Sequence, residues 1–173
     1  MIVGHEITHA FDSVGRQYDD DGNLHQWWSD ATDAEFSNRA ECIRAQFSSF
    51  PVRGLTGSVL DLVNGNTTLG ENIADSGGLK LAYTAYQVHM NTTRPDQRVE
   101  ANFEHDKLFF VASAQNMCSK FSDAAMTQCL AADPHAPPYW RVNGAVMNNA
   151  DFARTFQCAA NTPMNPTSKC QVW

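Results

Sequence analysis

A mainly α fold with few strands is predicted for the 173 residues, and three observations predict it. Apolar residues recur at three- and four-residue spacing in several separate segments. Capping, glycine and proline signals bracket several of those segments. Runs that alternate strictly between apolar and polar residues are scarce, so little argues for an extensive sheet. With 43% hydrophobic residues the chain has ample apolar material for one core, and a single unit over residues 1–173 is expected.

In the opening segment Val3, Ile7, Ala10, Phe11 and Val14 repeat along one side of an amphipathic helix, with His5, Glu6, His9 and Asp12 on the other. Met1 and Ile2 already belong to the apolar pattern with no cap before them, so the chain reads as cut inside a longer one. Asp19-Asp20-Asp21-Gly22-Asn23 lacks a full calcium-loop pattern and its closing Glu, and is expected to be a solvated turn. Trp27 and Trp28 are expected to pack in the core.

Either Ser29 or Thr32, the latter heading a Thr32-x-x-Glu35 capping box, starts a second helix that carries Phe36, Ala40, Ile43 and Phe47 and ends near Pro51. A glycine-containing loop spans residues 54–65, followed by helices over 69–89 and 103–120. Pro134, Pro137, Pro138, Pro163 and Pro166 predict a loop-rich tail with one short helix over 149–156.

The formal net charge of −7 excludes a nucleic-acid partner, because phosphate binding needs clustered Lys and Arg. No apolar run approaches the roughly 20 residues that span a bilayer, and the first residues lack the pattern of a signal peptide. Cys42, Cys118, Cys129, Cys158 and Cys170 are widely spaced without a C-x-x-C pair, which suits disulfides in an oxidising compartment better than a zinc ribbon. Their odd number leaves at least one thiol free or paired outside the chain. Asn66-Thr67-Thr68 and Asn91-Thr92-Thr93 have the form of N-glycosylation acceptors, in keeping with export.

His5-Glu6-Ile7-Thr8-His9 is an H-E-x-x-H motif. On a helix its i, i+4 histidines lie one turn apart on the same face, as two ligands of one Zn²⁺ must. A carboxylate beside such a metal serves as general base toward water whose pKa the metal lowers. Three fixed letters also arise by chance, but the amphipathic setting favours metal binding. A catalytic zinc needs a third protein ligand. Glu71, in Thr68-Leu69-Gly70-Glu71-Asn72-Ile73-Ala74-Asp75, is the candidate, with Asp75 one turn later placed to orient a ligating histidine. Thr68-x-x-Glu71 reads equally well as a capping box with no metal, and spacing leaves the two open. His25, His89 and His105 lack ligand spacing and are expected at the surface or in packing.

The stretch from Val3 to Asp12, Gly15-Arg16, Trp27-Trp28, residues 66–75 with Gly77-Gly78, and the closing Cys170-Gln171-Val172-Trp173 together resemble the neprilysin and endothelin-converting-enzyme family over essentially the whole chain. The resemblance implies the C-terminal portion of a thermolysin-like gluzincin catalytic domain, a zinc endopeptidase of short extracellular peptides. It implies one Zn²⁺ per chain on His5, His9 and Glu71, with Glu6 as base and Asp75 behind a ligand. It also implies that His135 stabilises the tetrahedral intermediate and that Arg141 binds substrate, roles a His donor and an Arg fork suit chemically. Read without the family, His135 between prolines is a surface loop residue.

The family further implies a Cys42–Cys170 disulfide, bridges from Cys118 and Cys158 to upstream cysteines, and a parent that is a type II membrane ectodomain or secreted. The upstream substrate-aligning strand and the helical lobe are missing from this chain. Cys129 has no counterpart, and Met117 stands where an aromatic is usual. The alternative reading is a non-catalytic fragment or zinc-containing binding module, since only one wall of the cleft is present.

Overall fold

Serine and asparagine caps, an N-terminal proline and amphipathic spacing set most of the helices in this chain. Its computed structural model describes residues 1–93 and 98–173, and of residues 98–104 the backbone alone. The order is α1 (Ile2–His9), a 3₁₀ turn (Gly15–Gln17), α2 (Asp30–Ser48), β1 (Pro51–Arg53), β2 (Val59–Leu62), α3 (Leu69–Thr93), α4 (Arg98–Gln115), α5 (Asp123–Ala132), α6 (Pro138–Met147) and α7 (Ala150–Thr155).

Ser29, not Thr32, caps α2, its side chain accepting from the Thr32 amide, and Phe36, Ala40, Ile43 and Phe47 form the buried stripe that the spacing predicts. They meet Phe50, Val52, Val63, Ile73, Met147 and Val172 in one core cluster. Leu79, Tyr83, Phe110, Ala145 and Val146 make a second cluster between α3, α4 and α6. A Cys42–Cys170 disulfide ties α2 to the chain's last residues across 128 positions, while Cys118, Cys129 and Cys158 are free thiols. Closing so long a loop stabilises by about 5 kcal/mol in the chain-entropy picture.

Three expectations need correction. The 54–65 loop contains most of an antiparallel β1–β2 hairpin, whose strands are too short, and too irregular at a bulge between Val52 and Arg53, to show an alternating pattern. The tail after Pro134 holds α6 as well as α7, and α5 precedes it in a stretch for which the sequence predicted no element. No residue of α5 is fully buried, and its stripe is short: Met126 and Leu130 pack partly buried on the first core cluster, behind helix-favouring alanines and the Ser122 cap. Pro138 opens α6, where its fixed φ and missing N–H fit the first turn, so the residue read as a breaker is a start signal.

The third correction concerns α1. Its apolar side faces out, with Val3 73% and Ile7 53% exposed, whereas Gly4, His5, Thr8 and Asp12 are buried. Packing on α3 decides this, through glycines. A Cβ on Gly4 would lie 2.6 Å from the Gly78 carbonyl oxygen, and one on Gly77 would lie 2.7 Å from the Thr8 methyl. Only bare backbone lets the helices come this close. The Thr8 hydroxyl, turned inward, donates to the Gly4 carbonyl at 2.7 Å and so is satisfied. Trp27 is likewise more exposed than expected, while Trp28 packs against the first core cluster.

Candidate metal centre

The close crossing of α1 and α3 brings the H-E-x-x-H turn against the first turns of α3. His5 Nε2 lies 3.0 Å from His9 Nε2 and 3.2 Å from Glu71 Oε2, and His9 Nε2 lies 3.6 Å from the same oxygen. An ion bound tetrahedrally at zinc–ligand lengths would hold its donor atoms about 3.4 Å apart. The three donors therefore bracket that spacing. They are the one group among the described residues with metal-holding geometry. Glu71 Oε2 is buried yet receives no aligned hydrogen bond, although nitrogens surround it. An orphaned anionic oxygen facing two imidazoles is the chemistry a cation satisfies.

The capping-box alternative for Glu71 does not form. The Thr68 hydroxyl instead donates to the Asn64 carbonyl and accepts from the Asn72 side-chain Nδ2.

Both histidines are held from behind. His5 Nδ1 is 2.9 Å from Asp75 Oδ1, and Asp75 is 1% exposed. The Asp75 carboxylate raises the His5 pKa above the usual imidazole value against the opposing pull of burial, so a proton competes with any metal at this ring. His9 Nδ1 is 2.6 Å from Asp12 Oδ2, while Asp12 Oδ1 accepts the Val14 and Gly15 amides, both at 2.7 Å. The sequence reading gave Asp12 no role. Its position one turn after His9 was the available signal.

His135 and Arg141 arrive from the α6 region. His135 Nε2 lies 3.1 Å from Glu71 Oε2, and its Nδ1 lies 2.8 Å from Asp133 Oδ1. The His135 backbone amide, and then its ring, hold the Asp133 pKa below the usual carboxylate value. Asp133 is the second partner the sequence reading passed over, although it lies two residues away. Arg141 grips Asp75 bidentately, Nε to Oδ2 at 2.7 Å and Nη2 to Oδ1 at 2.8 Å. Burial works against the Arg141 charge, but Asp75, Glu71 and Asp133 together outweigh it and raise the guanidinium pKa.

Glu6 sits beside His5 on the exposed side of α1 and makes no hydrogen bond or ion pair among the described residues. The structure thus gathers His5, His9, Glu71, Asp75, His135 and Arg141, and leaves the Glu6 carboxylate free. His25, His89 and His105 are exposed and outside this cluster.

Residues 1–172 match the sequence model of peptidase family M13. An endothelin-converting enzyme homolog of Locusta migratoria is 45% identical over the whole chain, which covers 23% of it. Neprilysin-3 of Drosophila melanogaster is 44% identical, with 22% of its length covered. Among solved structures, zinc metalloprotease ZMP1 of Mycobacterium tuberculosis in complex with an inhibitor superposes with a TM-score of 0.86 at 34% identity, over 99% of this chain and 26% of that one. The chain spans about a quarter of the length of these relatives.

Proposed function

The chain belongs to peptidase family M13, and from that membership we propose that it is the zinc-holding, catalytic portion of an endopeptidase acting on short extracellular peptides. The convergence of His5, His9 and Glu71 carries this reading. These residues would hold one Zn²⁺, which when bound would supply a Lewis acid to polarise the scissile carbonyl and acidify water. Glu6 takes the proton of the attacking water and passes it to the leaving amine. His135 donates from Nε2 to the oxygen that becomes negative, its ring fixed by Asp133 at Nδ1. Arg141 keeps Nη1 for a substrate carbonyl while Asp75 occupies its other nitrogens. Asp75 and Asp12 orient the ligating rings.

The disulfide and the exposed Asn66 and Asn91 acceptors support an extracellular or cell-surface location, for a parent secreted or anchored in the membrane upstream of these residues. Among the described residues no helix is long and apolar enough to cross a membrane.

The test is metal analysis of the purified chain together with cleavage of a quenched fluorescent peptide, with and without chelator. Stoichiometric zinc with chelator-sensitive cleavage is the expected result. Zinc without cleavage would favour a binding module or a fragment that needs further chain, and absence of zinc would overturn the reading.

Asp12→Asn should lower zinc affinity about ten- to a hundredfold with little change in stability, measured by competition with a chelating dye and by thermal melting. The amide oxygen can still accept the Val14 and Gly15 amides. Its NH₂, however, faces His9 Nδ1 and drives the proton to Nε2, the atom that must bind metal. Unchanged affinity would show that His9 does not depend on this partner.

A further inference from the structure

Away from the metal centre, a groove of about 570 Å³ opens between the β1–β2 hairpin, the segment before α5 and the start of α6. Its walls include Val52, Leu55, Phe121, Met126, Tyr139 and Trp140. It is preformed, because Trp140 stacks on Phe50 at 4.0 Å and donates from Nε1 to the Pro51 carbonyl at 3.0 Å. Arg53 and Lys120 also line it, and among the described residues no carboxylate does, in a chain whose net charge is −7. The nearby Asp123 does not line it and is tied to the hairpin backbone, its Oδ1 accepting the Leu55 amide at 2.7 Å. Pro137, Pro138, Tyr139 and Trp140, which line the groove, are four of the five residues linking His135 to Arg141. Groove and metal centre therefore share one stretch of chain.

We propose that this groove is an accessory subsite for a distal part of the peptide substrate, taking a bulky apolar side chain next to a carboxylate. The inference rests on the peptidase reading for its occupant. Burial of an aromatic side chain against Phe121, Met126 and Tyr139 supplies the attraction, and the two cations select an anionic neighbour over a neutral one. The carboxylate is either an acidic side chain or the peptide's own C-terminus.

The experiment measures fluorescence anisotropy of three labelled peptides on the zinc-loaded chain. One ends in Phe-Glu-amide, one in Phe with a free carboxylate, and one in Phe-Gln-amide. The Phe-Gln-amide peptide should bind roughly tenfold more weakly than whichever anionic peptide is preferred, and that preference tells side chain from terminus. Tyr139→Ala and the Arg53→Ala/Lys120→Ala double variant should each weaken the preferred peptide roughly tenfold. Tyr139 is 66% exposed, so its removal leaves the core intact. Binding should survive chelation of the metal.

Equal affinity for all three peptides, or variants without effect, would overturn the subsite. So would self-association that disappears in Tyr139→Ala, since the occupant would then be a second copy. Cleavage of a short peptide lacking the anchor should be unchanged in these variants. Selective anchoring on a chain that takes up no zinc would leave the subsite standing and sink the peptidase reading instead.

Discussion

Glu6→Gln is expected to keep its full complement of zinc and to lose about three orders of magnitude in peptide hydrolysis. The side chain sits next to His5 in sequence but is not one of the three converging donors, and it makes no hydrogen bond or ion pair among the described residues. Replacing its carboxylate by an amide of the same shape therefore disturbs neither packing nor metal binding. What should disappear is the proposed ability to take a proton from water and return it to the leaving amine. A thousandfold loss corresponds to about 4 kcal/mol of transition-state stabilisation. Zinc analysis and kcat/KM on one preparation separate this from Glu71→Gln, which weakens a proposed ligand and should lower zinc occupancy as well. Full turnover in Glu6→Gln would remove Glu6 from the mechanism. Parallel loss of zinc would make it a ligand.

The part of the centre that lies within one helical turn was legible in the sequence, because i, i+4 spacing alone puts His5 and His9 on one face. Glu71 was not, since Thr68-Leu69-Gly70-Glu71 fits a capping box as well as a ligand, and the family resemblance supplied the choice. Asp12 and Asp133 lie three and two residues from the imidazoles they hold, but carboxylates at that distance are common, and only the contacts distinguish them. Periodicity identified the apolar side of α1 correctly and misled about where that side points. The pattern records which residues share a face, and the partner that covers a face lies elsewhere in space. Pro137-Pro138 illustrates the same limit, because proline is compatible with a loop and with the first turn of a helix.

The second large effect is expected at a residue with no chemistry of its own. Gly78→Ala should destabilise the fold by about 3 kcal/mol and weaken zinc binding at least as much as any change in the residues behind the ligands. A Cβ there would lie 2.4 Å from the His5 backbone nitrogen, 2.6 Å from its Cα and 2.8 Å from the Gly4 carbonyl carbon. All three atoms are backbone, so no rotamer change can relieve the contact and α1 must move away from α3. That movement lengthens the 2.9 Å His5–Asp75 and 3.2 Å His5–Glu71 approaches, which depend on the same crossing. Thr84→Ala, an exposed change farther along α3, should stay within about 0.5 kcal/mol and leave zinc affinity unaltered. Denaturant midpoints and chelator competition on both variants decide the matter. If Gly78→Ala matched Thr84→Ala in each, the glycine crossing would not be what sets the spacing of the donors, and the link from sequence to site would have to run through another contact.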